Sequence, residues 1–360
     1  MKQIFATVIM ATMLVASFAQ QKPKNVILMI GDGMGVQHVA ALNYLQEGRS
    51  TISQFPFEGR SMTYSATDTI TDSAAGGSAL STGVKTPNSY IATNADGTPN
   101  ETLAEWARKR GMATGIVVTC QLTDATPADF YAHVTSRKME EEIARQLPYS
   151  NLDFVVGGYR YRFEPSKRED GLNLIDTLKD RNYQVVYTLE DLQNAPIAAT
   201  VALLSDEKPA PRDVRGNWLD VALEKAFRVL ETDDDGFFLM VEGSQIDWAC
   251  HVNDFPYMEG EILEFDHAVA IARAYAEQHP ETLVVVTADH ETGGLTIGKG
   301  IEKLKPAVAA KKLGKYISWK TDYHTGADVG VYAFGPGAEQ FQGRMENTDI
   351  PKKIKKLLEK

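Results

Sequence analysis

The chain has 360 residues, 43% hydrophobic and 24% charged, with a formal net charge of −11 at pH 7. That acidity argues against nucleic acid as a partner, and the length is enough to bury a substantial core. Two cysteines give no sign of a disulfide framework.

Residues 1–19 read as an export signal. Met1-Lys2 is a short positive region, 4–16 an apolar stretch too short to span a bilayer, and Ser17 and Ala19 are small residues at the cleavage positions. The cut is expected after Ala19. No cysteine follows to take a lipid, and no later segment is long and apolar enough for a membrane span. Residues 20–360 are therefore expected to form one exported, soluble domain, periplasmic or secreted.

The apolar run 26–30 reads as a buried parallel strand leading into Gly31-Asp32-Gly33-Met34-Gly35. This loop lacks the G-x-G-x-x-G spacing, and its carboxylate would repel a pyrophosphate, so the glycines serve close backbone approach instead. Next, in Thr71-Asp72-Ser73-Ala74-Ala75-Gly76-Gly77, a helix is expected to begin at Asp72-Ser73. The free N–H groups and positive dipole of such a start favour an alkoxide and a bound anion, which makes Ser73 a candidate nucleophile; the plain alternative is an ordinary N-cap. Three more apolar runs end in ligand-type residues. Run 116–119 leads through Cys120 to Asp124 and Thr126, run 237–241 delivers Glu242, Asp247 and His251, and run 283–287 delivers Asp289-His290. Polar groups set repeatedly past apolar strands match the ligand-binding edge of an α/β sheet. His38, His133, His267 and His279 fit no metal pattern and are expected at the surface or in hydrogen-bonded core. The segment 352–360 reads as a short helix that packs Ile354, Leu357 and Leu358 and solvates its lysines.

Taken together, the segments 25–35, 71–86, 124–138, 241–251, 287–293 and 323–336 resemble an alkaline phosphatase of the serine-nucleophile, two-zinc-plus-magnesium type, in that family's order. Asp-Ser-Ala-Ala with Ser-Thr-Gly-Val-Lys-Thr, and Asp-Ala-Thr-Pro-Ala with His-Val-Thr-Ser-Arg, carry most of the resemblance. It implies a three-layer αβα fold with a largely parallel central sheet and 20–360 as the catalytic domain. It also implies broad hydrolysis of phosphate monoesters through a phosphoserine at Ser73, with Arg137 gripping the phosphate. Two Zn²⁺ and one Mg²⁺ are implied as cofactors. Asp247 and His251, four apart on one helical face, would share the first zinc with His324; Asp32, Asp289 and His290 would hold the second. Asp32, Thr126 and Glu242 offer the oxygen ligands magnesium prefers. Four carboxylates at about −4 against ions at about +6 leave a pocket that attracts phosphate despite the acidic chain.

The resemblance leaves some points open. A phosphodiesterase or phosphomutase of the same superfamily would need a further pocket or further cations, and the match around Ser73 and Arg137 speaks against it. A non-catalytic periplasmic phosphate-binding protein would have no use for a nucleophile. The stretch from His290 to His324 is too short for the inserted interface domain of larger relatives, and no N-terminal arm precedes the first strand, so a homodimer is left open. Cys120 and Cys250 are expected as free, buried thiols. Asp124 and Trp248 stand where one bacterial form of the family has Asp and Lys and animal enzymes have two histidines. On this reading Asp124 keeps its charge and its cation is missing, which predicts weaker binding of product phosphate.

Overall fold

The computed structural model describes residues 22–359; the expected export signal lies outside the described residues. Ten strands form one sheet: β1 (Asn25–Gly31), β2 (Phe57–Met62), β3 (Ala113–Gln121), β4 (Phe154–Gly158), β5 (Gln184–Val186), β6 (Thr200–Leu203), β7 (Phe237–Gly243), β8 (Thr282–Thr287), β9 (Val329–Phe334) and β10 (Gly343–Glu346). Their order is β10-β2-β9-β8-β1-β7-β3-β4-β6-β5. β9 runs antiparallel to β8 and β2; the remaining pairs are parallel. The four apolar runs read from the sequence are the adjacent strands β8, β1, β7 and β3.

β1 shows why both faces are covered. Val26, Leu28 and Ile30 enter one core cluster and Ile27 and Met29 the other, since successive strand side chains point to opposite faces. The first cluster is closed by α2 (Ser73–Thr82), α3 (Leu103–Arg108), α5 (Glu140–Ser150) and α9 (Asp349–Leu358), the second by α1 (Val36–Leu45), α6 (Trp218–Leu230) and α8 (Phe255–Gln278). α6 buries Leu219, Ala222, Leu223, Ala226 and Leu230, the stripe that a 3.6-residue period predicts. Truncating Leu223 to Ala would cost about 2–5 kcal/mol. The result is the expected three-layer αβα arrangement with a largely parallel sheet. Two short helices, α4 (Ala125–Ala128) and α7 (Gln245–His251), sit past the ends of β3 and β7.

α2 contains two glycines that propensity alone would penalise. A Cβ on Gly76 would stand 2.9 Å from the carbonyl of Asp289, and one on Gly77 2.3 Å from Asp129 Oδ2. Gly76 thus lets this helix lie against the loop after β8, and Gly77 lets it lie against Asp129 just past α4. The stretch from His290 to His324 folds back on itself: Glu291–Thr292 pairs antiparallel with His324–Thr325, and Thr296–Ile297 with Ile317–Ser318. Ile301, Ala309 and Leu313 from this stretch pack on Ala41 of α1. α9 buries Ile354 and half-buries Leu357 and Leu358, as expected. Cys120 and Cys250 are free and buried. Among the described residues no helix is long and apolar enough to cross a membrane.

Candidate active site

Sheet register brings the ligand-type residues to one edge. Ile30 of β1 is level with Glu242 of β7 and Thr287 of β8, and Glu242 is level with Val118 of β3. The loops that follow therefore open side by side, and Gly33 N–H donates to Asp289 Oδ1 at 3.2 Å. Asp32, Glu242, Asp247, Asp289, His290 and His324 are all buried.

Ser73 is the first residue of α2. The cap is Asp72, whose Oδ1 accepts the Ala75 N–H at 3.0 Å and whose Oδ2 accepts that of Ser89 at 2.9 Å. With the cap supplied by its neighbour, the Ser73 hydroxyl is left to face His290, with Oγ 3.2 Å from Nε2.

Two groups of ligand atoms close within 4.8 Å of one another: Asp247, His251 and His324, and Asp32, Asp247 and His290. Asp289 also reaches the second group, its Oδ2 standing 3.2 Å from His290 Nε2. Asp247 thus touches both groups, which the spacing of the chain did not show. Hydrogen bonds at the far nitrogens set the tautomers. His251 Nδ1 lies 2.7 Å from the carbonyl of Asp322 and His324 Nδ1 2.8 Å from that of Thr71, so each carries a proton there and turns a lone pair inward at Nε2. Thr292 Oγ1 donates to Asp247 Oδ1 at 2.5 Å and so meets His290 Nδ1, at 3.2 Å, as an acceptor. His290 too presents its Nε2 lone pair. The inward atoms are then acceptors facing acceptors: His251 and His324 Nε2 atoms 3.1 Å apart, and His290 Nε2 3.4 Å from Asp32 Oδ1. Asp32 Oδ1 and Asp289 Oδ2 are buried without a donor. Bound cations would satisfy such a set, and its mixture of imidazole and carboxylate suits zinc.

The titration of these groups reflects the same crowding. Burial, then Asp289 and Asp247, raise Asp32 far above the carboxylate range; burial and Asp247 raise Asp289 to about 7. Burial, with Asp124 and Asp289, raises Glu242 to about 8. For Asp247 burial is outweighed by the adjacent imidazole of His251, which would donate to it once protonated, and by His290 and His324, so it falls below its usual value. His251 rises, chiefly because its protonated ring would pair with Asp247, while burial and then His324 push His290 well down.

Thr126 sits in the first turn of α4 with Oγ1 buried and unpartnered, and Glu242 Oε2 meets the Cys120 thiol at 3.5 Å. Asp124 caps α4. The expectation that Asp124 lacks a cation is overturned: Arg137 Nη2 donates to its Oδ1 at 3.0 Å, while Arg137 Nη1 lies 3.5 Å from Asp72 Oδ2. Spacing along the chain cannot show that the loop after α4 folds Arg137 over both acids. The Trp248 ring, in turn, carries the ammonium of Lys208 at 3.4 Å. Sequence reasoning missed Thr292 and Lys208. Thr292, two past His290 on a strand, had a signal in its period; Lys208, far away in sequence, had none.

His38, fully buried, accepts the Gly35 N–H at 3.1 Å and lies 3.2 Å from Cys250 Sγ; His133 bonds Ala92 O and Glu105, and His267 pairs with Asp220 on the surface. His279 stacks on Tyr275. None of the four enters the cluster.

A serine at a helix start beside acceptor-lined pockets, all at the carboxyl edge of a mostly parallel αβα sheet, defines an enzyme built for anionic substrates. The family can be stated: the alkaline phosphatase family model matches residues 23–317 and 312–360, and the chain belongs to that family. Alkaline phosphatase 3 of Bacillus subtilis is 33% identical over 94% of this chain and 90% of its own length. The Escherichia coli alkaline phosphatase is 30% identical over 93% and 86%. Alkaline phosphatase from the Antarctic bacterium TAB5 superposes with a TM-score of 0.87 at 38% identity, covering 94% of this chain and 99% of that one. The protein is a phosphatase acting on phosphate monoesters, and its family membership implies metal cofactors.

Proposed function

We propose that this chain hydrolyses phosphate monoesters of broad alcohol identity through a covalent phosphate on Ser73, with divalent cations held by the acceptor cluster. Asp247, His251 and His324 would hold one zinc, and Asp32, Asp289 and His290 a second, with Asp247 beside both. Asp32, Thr126 and Glu242 would hold magnesium; a variant of the TAB5 enzyme has magnesium bound in its M3 site. Bound cations supply the positive charge that favours an ionised hydroxyl and neutralises phosphate oxygens.

The rest is done by side chains. Ser73 Oγ attacks phosphorus as the bond to the alcohol oxygen breaks, and the alcohol leaves with a proton from solvent. Water then breaks the Ser73 phosphoester, regenerating the hydroxyl and releasing inorganic phosphate. The first N–H groups of α2 point at the incoming anion, and the Arg137 fork, 30% exposed, offers two donors to the non-bridging oxygens of the phosphoryl group, which form and break no bond to phosphorus. In such a loose transition state positioning and charge neutralisation carry the rate, so the alcohol needs no pocket of its own.

The single observation that carries this reading is Ser73 Oγ, 3.2 Å from the inward lone pair of His290. The experiment is labelling with ³²P-phosphate at acid pH, with p-nitrophenyl phosphate turnover before and after chelation. Stoichiometric label on Ser73, lost in Ser73→Ala along with most turnover, supports it. Turnover near wild type in Ser73→Ala, with metal content unchanged, removes Ser73 as the nucleophile.

A further inference from the structure

The loop after β6 carries a cation that the proposed chemistry has not used. The fully buried amide of Gln245, the first residue of α7, fixes this loop: Nε2 donates to Thr119 O at 2.7 Å and to Ala210 O at 3.2 Å, and Oε1 accepts the Tyr257 hydroxyl at 2.6 Å. Ser205 O takes the N–H groups of both Tyr159 and Arg160 at the other end. Between these anchors Lys208 is exposed, with Nζ 3.4 Å from the centroid of the half-buried Trp248 ring. Among the described residues no carboxylate pairs with Lys208; the nearby Asp206 is held by Arg160 at 2.9 Å. Trp248 directly follows Asp247, the carboxylate shared by both ligand groups. An ammonium over a tryptophan face keeps its charge and its donors while the ring fixes its place.

We propose that Lys208, seated on Trp248, is a binding residue of the phosphate pocket: it supplies positive charge at the rim that draws in the phosphate dianion of the substrate and slows departure of the product. This rests on the phosphatase reading above. It makes Lys208 a residue of affinity and release, not of bond breaking.

The test is binding of inorganic phosphate to the metal-loaded enzyme, read by calorimetry and by competitive inhibition, in Lys208→Ala, Lys208→Glu, Lys208→Arg and Trp248→Leu. At low ionic strength Lys208→Ala should bind phosphate about three- to tenfold more weakly, and Lys208→Glu more weakly still, with KM following and kcat equal or higher. Arginine should restore binding to within about twofold, and Trp248→Leu should mimic the alanine variant. In about 0.5 M salt the deficit should shrink below about twofold, because a rim charge is screened. Wild-type affinity in both Lys208→Ala and Lys208→Glu overturns the inference, as does a deficit that salt leaves unchanged. Failure of the phosphatase reading looks different: a loaded wild-type enzyme that neither binds phosphate nor turns over p-nitrophenyl phosphate.

Discussion

Replacing Asp72 tests whether the start of α2 is held as the structure shows. Its Oδ1 caps the helix at Ala75 and its Oδ2 accepts the Ser89 N–H, with Arg137 Nη1 3.5 Å away. Losing an N-cap costs about 1 kcal/mol, and stranding the half-buried Ser89 donor about 1 kcal/mol more. Asp72→Ala should therefore lose about 2 kcal/mol. With about 2.1 cal/mol/K of unfolding entropy per residue, that is a fall of about 3 °C in Tm for a chain this long. Asp72→Asn keeps an oxygen for the cap and should lose about 0.5 kcal/mol. Because Ser73 adjoins the cap, Asp72→Ala should also lower kcat/KM at least about tenfold, or about 1.4 kcal/mol of transition-state stabilisation. Urea unfolding of the metal-loaded protein, with p-nitrophenyl phosphate kinetics, measures both. An alanine variant within 0.5 kcal/mol of wild type would refute the capping argument.

Gly77→Ala gains about 1 kcal/mol of helix propensity but drives a methyl to 2.3 Å from Oδ2 of Asp129, whose carboxylate is fixed through its other oxygen, Oδ1, by the Ser78 hydroxyl at 2.6 Å, so net destabilisation of about 2 kcal/mol is expected. Adding Asp129→Ala should recover part of that loss in a double-mutant cycle, and strict additivity would contradict the clash. In metal-free protein Asp32, Glu242 and Asp289 have folded pKa values raised above their unfolded ones, so the stability they contribute is full below about pH 4 and is lost as pH rises through their folded values, about 7 for Asp289 and about 8 for Glu242. Thermal melts after chelation should fall from pH 5 to 9 relative to the loaded protein; parallel curves would count against the cluster. Cys120 and Cys250, both buried and free, should resist alkylation in the native protein and take two labels in denaturant without reductant. A denatured chain that takes none would prove a disulfide.

The sequence by itself determined what depends on near neighbours. Apolar runs of strand length fixed β1, β3, β7 and β8, the four-residue spacing put Asp247 and His251 on one helical face, and the Asp72-Ser73 pair marked the start of α2. These follow from local periodicity and capping, which a few adjacent residues settle. Tertiary structure alone decided how the groups meet. His324 reaches His290 because a two-residue strand pair folds a long loop back, placing His324 opposite Thr292. The carbonyls of Thr71 and Asp322 then choose the imidazole tautomers, Arg137 closes on Asp124, and Lys208 comes to rest on Trp248. Each of these contacts joins residues whose separation is set by loop closure and strand register, and neither leaves a period in the chain.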